Sequence, residues 1–142
     1  MAPFRGFLEE RVAQAACESV GPALLFFGSR DSGQDFLYEA ELRDYVARGL
    51  TGLVTAFSRV AGAARVYMQD AIAAHTDEVR ALLERGATVY LCGEASRMAP
   101  AVRVAFGAIY QRQTGADEAQ AEAWLNGSES AGRYLADVWA SE

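Results

Sequence analysis

Four segments of this sequence end in residues able to do chemistry. Ser29-Arg30 and Ser58-Arg59 each follow a short apolar run, Cys92-Gly93-Glu94 follows a third, and Trp139 lies in a fourth. Arginine forks onto phosphate with directional, paired hydrogen bonds, and a neighbouring serine hydroxyl adds a donor. An indole supplies a stacking face. Gathered on one rim, two Ser-Arg loops, a thiol and a large aromatic would suit an anionic, aromatic ligand such as a nucleotide. Serine and arginine are also common loop residues, so spacing alone leaves ordinary loops open. All thirteen basic residues are arginine, because the sequence has no lysine. Biased codon use would give the same composition, but any phosphate site here must be built from guanidinium groups.

A shared rim requires strands that end on one edge, and the chain supplies candidates. Phe4, Phe7, Leu8, Val12 and Ala15 have helical spacing, with Pro3 acceptable in a first turn. Ala23–Gly28 is a short apolar strand between Gly21-Pro22 and Ser29-Arg30. Tyr38, Leu42, Tyr45 and Val46 return to helical period, with Gly49 as the stop. Leu53–Phe57 reads as the second strand. Val66 to Arg85 reads as helix broken near His75-Thr76 and ending at Gly86, and Ala87–Cys92 as the third strand. Met98, Val102, Phe106, Ile109 and Tyr110 form another helical face, with Ser96 as its N-cap. Asp117 and Gln120 spell a capping box before Trp124 and Leu125, and Asp137-Val138-Trp139 closes as a short extended piece. Strands separated by helices imply crossover connections and a parallel sheet, and runs apolar on both faces imply helices covering both sides. The expected architecture is α/β and doubly wound, with its site at the carboxyl ends of the strands.

Composition limits the alternatives. The 142 residues are 51% hydrophobic, 11% aromatic and 23% charged, which suits one globular domain and excludes intrinsic disorder. The longest uncharged runs, Ser19–Ser29 and Gly49–Ser58, are too short to span a membrane, and the N-terminus has no secretory h-region. A formal charge of −6 disfavours nucleic acid or an anionic membrane as partner. Cys17 and Cys92 are too few for a disulfide framework, which fits a reducing cytoplasm. No metal site is expected.

Six segments carry a resemblance. APFRGF, LLFFGSRDSGQDFLYEAEL, LVTAFSR, RVYMQ, VYLCGEASRMAPAV and GRYLADVW, in this order, resemble the NADPH-binding module of diflavin reductases. The pattern is that of the cytochrome P-450 reductase type within the ferredoxin reductase superfamily, notably the bacterial form fused to its monooxygenase. It covers essentially the whole chain. The resemblance implies a Rossmann-like module that binds NADPH and delivers hydride to FAD on another domain. Electrons would then pass through FMN to a haem monooxygenase.

Residue by residue, the resemblance assigns Ser58, Arg59, Arg65 and Tyr67 to the 2′-phosphate and adenine of NADPH, and Arg30 to the cofactor phosphates. Arg65 stands where the family often has lysine, which keeps the charge and changes the geometry. Cys92, Asp137 and Trp139 match the hydride-transfer constellation: thiol and carboxylate orient the nicotinamide, and Trp139 stacks on the flavin. Gly93 would let the cofactor approach the backbone, while Glu94 and Met98 would line the nicotinamide ribose.

Read without the family, these residues have plainer roles. Cys92 is then a core cysteine, Trp139 a packing anchor, and Arg59 and Arg65 solvated charges. His75 is structural or exposed, and Cys17 is inert packing on the first helix. The sequence also departs from the family pattern: no hydrophobic strand and glycine-threonine-glycine turn precede Ala2-Pro3. The expectation is an NADPH-binding domain over residues 1–142 that lacks its first, central strand, truncated from a longer reductase that also carries the FAD and FMN domains. Alone, it should not turn over. A module of the sulfite reductase flavoprotein type, a non-catalytic NADP(H)-binding fragment and a remnant without function are the other readings.

Overall fold

The computed structural model describes residues 2–19, 21–29, 39–57 and 65–140. Its elements run α1 (Ala2–Ala15), β1 (Leu24–Ser29), α2 (Glu39–Ala47), β2 (Gly52–Phe57), α3 (Met68–Ala74), α4 (Thr76–Glu84), β3 (Val89–Glu94), α5 (Met98–Thr114), α6 (Glu118–Ser130) and β4 (Tyr134–Trp139). The fold is mixed α/β. Both strand pairs are parallel, as strands separated by helices require. The chain divides into two compact units, Met1–Ala71 and Ile72–Glu142.

In the first unit β1 pairs with β2 in a register running from Leu24 opposite Gly52 to Ser29 opposite Phe57. Leu25 and Leu53 are partners, so they share a face, and on it they meet Leu8 and Val12 of α1 and Leu42 and Tyr45 of α2. The opposite face carries Gly28 and Ala56, and there the Met68 methyl sits where a Gly28 side chain would begin. Polar bonds tie the ends. Arg11 donates from Nε to the Leu50 carbonyl at 3.0 Å and from its terminal nitrogen to the Gly21 carbonyl. Arg5 reaches Glu41 at 2.9 Å, and Glu41 also accepts from the Tyr45 hydroxyl. Helix α2 stops at Gly49, where a φ of 73° suits a residue without a Cβ.

In the second unit β3 pairs with β4, from Val89 opposite Tyr134 to Glu94 opposite Trp139. One face packs on α5 and α6: Leu91 and Tyr134 are buried there with Val102, Phe106, Ala121 and Leu125. Phe106 meets Tyr134 edge-on at 5.9 Å. Arg103 on α5 bonds Glu122, Asn126 and Glu129 on α6, and its guanidinium lies 5.8 Å from the Tyr134 ring centre. Stacking of Tyr110 on Trp124 at 4.5 Å completes this helix pair. The Asp117–Gln120 capping box forms as its sequence predicts.

Several expectations are corrected. The third strand is displaced toward its carboxyl end, so Cys92, Gly93 and Glu94 lie within β3 and not after it. Ser96 does not cap α5. Arg97 occupies the N-cap without a side-chain bond, and Glu94 meets the free amides instead. Cys17 lies in the turn beyond α1, exposed, and not on the helix. The β3–β4 face bearing Tyr90, Leu135 and Trp139 leaves them 48, 43 and 54% exposed. The helix break is confirmed, with His75 between α3 and α4. Among the described residues no helix is long and apolar enough to cross a membrane.

Candidate functional site

Register and pleat bring four of the predicted residues together. Cys92 is the partner of Asp137, and Glu94 the partner of Trp139. Parallel partners lie about 4.8 Å apart across the ladder and point to the same side, and so do residues two apart along a strand. Thiol, carboxylate and indole therefore share one face at the carboxyl ends of β3 and β4. The same periodicity adds Tyr90 and Leu135, partners one step back. The Cys92 side chain is half-buried, whereas Asp137 and Trp139 are exposed. This face can stack a planar ring on the indole and offer it a soft thiol and an anionic acceptor.

The end of this ribbon is held from below. The Glu94 carboxylate accepts from the Ser96 hydroxyl and amide, from the Arg97 amide at 2.8 Å and from the Met98 amide at 3.3 Å. These bonds, the Ser96 hydroxyl first, hold its carboxyl at about 2. The turn they fix carries the Ala95 amide, which donates to the Trp139 carbonyl at 2.8 Å. Glu94 is thus engaged in the cap of α5. Gly93, the partner of Val138, faces the opposite side. A Cβ built on it would fall 1.6 Å from the Met98 methyl, so in this structure the missing side chain makes room for Met98.

The predicted phosphate residues belong to the first unit. Arg30, Ser58 and Arg59 lie outside the described residues. Arg65 is exposed, and Tyr67 is 45% exposed. Two bonds fix the Tyr67 backbone at the start of α3: its amide donates to Asp70 Oδ2 at 3.1 Å, and its carbonyl accepts from the Asp70 amide at 3.1 Å. An exposed guanidinium and an exposed phenol ring two residues apart suit a phosphate and a flat base.

Comparison with known proteins decides the family. The model of the oxidoreductase NAD-binding domain matches residues 1–104. The chain belongs to that family. It is 40% identical over 141 residues to the bifunctional cytochrome P450/NADPH–P450 reductase 1 of Bacillus subtilis, covering 99% of this chain and 13% of that protein. It is 43% identical over 142 residues to the NADPH–cytochrome P450 reductase of Aspergillus niger, covering 98% of this chain and 20% of that one. A bifunctional P450/reductase of Bacillus cereus is 40% identical over 141 residues. The chain therefore spans a fifth or less of the length of these relatives. The resemblance seen in the six segments is to this same group of reductases.

Sequence reading missed Tyr90 and Leu135 on the candidate face and Asp70 beneath Tyr67. The first two were within reach, since period-two alternation from Cys92 and Asp137 leads back to them. Asp70 carries the ordinary signal of an acidic residue in the first turn of a helix.

Proposed function

We propose that this chain is the NADPH-binding module of a diflavin reductase of the cytochrome P-450 reductase type, delivering hydride to FAD held by another domain. The observation that carries the reading is the β3–β4 register, which sets Cys92 beside Asp137 and Glu94 beside Trp139 on one open face. The residues suit a nicotinamide: a stacking ring 54% exposed, a thiol at the middle of the face and a carboxylate next to it. NADPH, when bound, supplies the hydride. Cys92 and Asp137 orient the ring that carries it, and Trp139 covers the flavin face and withdraws to admit that ring. Arg65 and Tyr67, with Arg30, Ser58 and Arg59, hold the 2′-phosphate, adenine and remaining phosphates by guanidinium forks and stacking. Gly93 lets the cofactor approach the backbone closely, and Glu94 and Met98 line the nicotinamide ribose.

The wider assignments belong to the same proposal. Residues 1–142 form one NADPH-binding domain of a longer, cytoplasmic reductase, whose FAD and FMN domains and haem monooxygenase acceptor are its partners. The relatives' printed names, which join P450 to its reductase, support that acceptor. Its sheet is doubly wound; in support, both described strand pairs are parallel and joined through helices.

The test is calorimetric titration of the chain with NADP⁺ and then NAD⁺, followed by mixing with the flavin-binding domains of a related reductase. Selective NADP⁺ binding and NADPH-dependent bleaching of the flavin are expected. Binding without bleaching would leave a non-catalytic nucleotide-binding module, and a cooperative melt without binding would refute the pocket.

A further inference from the structure

Resting on the functional reading above, we infer that Asp70 is a positioning residue for the nucleotide's phosphate end, acting through the backbone of Tyr67. Tyr67 is the last residue before α3 and has two fixed points. Its amide donates to Asp70 Oδ2 at 3.1 Å, while its carbonyl accepts from the amides of Asp70 and Ala71, both at 3.1 Å. The next residue, Met68, is anchored independently. Its methyl lies 2.7 Å from where a Gly28 Cβ would stand, against the carboxyl-terminal half of β1. The start of α3 is thus seated on β1 by Met68 and locked rotationally by Asp70. Among the described residues the Asp70 carboxylate supplies the side-chain bond that fixes the direction in which Tyr67 leaves the helix. Its ring and the Arg65 guanidinium two residues earlier are both exposed, so neither is held by packing.

The carboxylate has a further consequence. Asp70 brings a negative charge close to residues meant to hold a phosphate, so its charge opposes the ligand while its hydrogen bond assists it. The two effects separate in substitutions. Asp70→Asn keeps an oxygen acceptor for the Tyr67 amide and removes the charge, whereas Asp70→Ala removes both.

The experiment titrates the 142-residue chain and both variants with 2′,5′-ADP by calorimetry. It also measures hydrogen exchange at the Tyr67 amide and a thermal melt. Expected for Asp70→Ala are affinity weakened about fivefold, in line with one lost capping bond, and faster exchange at Tyr67. Asp70→Asn should bind at least as tightly as the parent and keep that amide protected. Unchanged affinity in Asp70→Ala, with the parent binding normally, would overturn the positioning role and leave the functional reading intact. Equal losses in both variants, in step with lowered melting, would also overturn it, as a merely structural effect. A folded parent that does not bind 2′,5′-ADP would overturn the functional reading itself and the inference with it.

Discussion

Replacing Gly93 by alanine tests how the end of β3 is built. The added Cβ would lie 1.6 Å from Met98 Cε and 3.3 Å from its sulfur. Carbon atoms in contact rest about 3.5–4.0 Å apart, so the methyl must withdraw by roughly 2 Å. Met98 is the first residue of α5, and its amide is held by Glu94 at 3.3 Å, so the side chain and not the backbone has to give. Overpacking of this kind costs about 1–3 kcal/mol, and a flexible thioether favours the lower half of that range. Alanine in place of glycine also restricts the unfolded chain, which returns about 0.4–1 kcal/mol. The expected net loss for Gly93→Ala is about 1 kcal/mol. Shortening Met98 as well removes the obstacle, so Gly93→Ala should cost nothing further in a Met98→Ala background. Urea denaturation of all four proteins measures the coupling, with an m-value of about 1–3 kcal/mol/M translating 1 kcal/mol into a midpoint shift near ~0.5 M. Additivity within about 0.3–0.5 kcal/mol would refute the reasoning, because distant or independent sites behave that way. If Gly93→Ala instead leaves stability intact and weakens NADP⁺ binding, the glycine serves cofactor approach and not Met98.

Four other outcomes are expected. Tyr134→Phe should raise stability by about 1 kcal/mol, because the buried hydroxyl has no partner among the described residues and its desolvation is uncompensated; a calorimetric melt that falls instead would refute this. Burial raises the Tyr134 phenol to about 12, so the folded state holds that proton more tightly. Its contribution is complete below the ordinary tyrosine value of 10 and lost as pH rises toward 12, a decline that Tyr134→Phe should lack in alkaline unfolding. Glu94 has the opposite sign: held at about 2 from an ordinary 4.5, it stabilises above 4.5 and loses that contribution as pH falls toward 2. The melting difference between the parent and Glu94→Gln should shrink across that acidic window, and a constant difference would count against the cap. Removing Arg65 should weaken NADP⁺ by about tenfold or more with NAD⁺ unaffected, as one charge-assisted bond requires, and equal losses for both nucleotides would exclude a 2′-phosphate contact. In a full-length reductase, Trp139→Ala should improve the use of NADH relative to NADPH by about tenfold or more, equivalent to ~1.4 kcal/mol of discrimination, and unchanged kcat/KM ratios would remove Trp139 from that role.

Much of the fold is readable where local chemistry decides it. Gly49 and Gly86 stop helices with φ of 73° and 81°, conformations that a Cβ disfavours, and Asp117 with Gln120 closes its box. The α3–α4 break at His75 is likewise local. Strand limits are not, because a strand extends as far as its partner does. Val89 is the first β3 residue because its amide meets the Arg133 carbonyl at 2.8 Å, and Glu94 is the last because Trp139 lies opposite it. The apolar Ala87 therefore reads as strand and is not, while Gly93 and Glu94 read as loop and are strand. Ser96 fails as a cap for a related reason. Local preference favours serine, but the free amides of α5 are reached first by a carboxylate at the strand's end.

The candidate site divides along the same line. That Cys92 and Trp139 are candidates follows from a pattern match over the whole chain. That they share one face follows only from register, since periodicity within each strand gives two faces and does not say which of them meet. Once Cys92 is set against Asp137, every other choice is forced: Glu94 must face Trp139, Tyr90 must face Leu135, and Gly93 must turn toward α5. A shift of one residue would send Asp137 and Trp139 to the helix-covered side, burying a carboxylate against Phe106 and Val102. The register is therefore selected against that alternative by the cost of an unpaired buried charge. The same alternation that keeps Tyr134 and Leu91 in the core keeps the thiol, carboxylate and indole where a ligand can reach them.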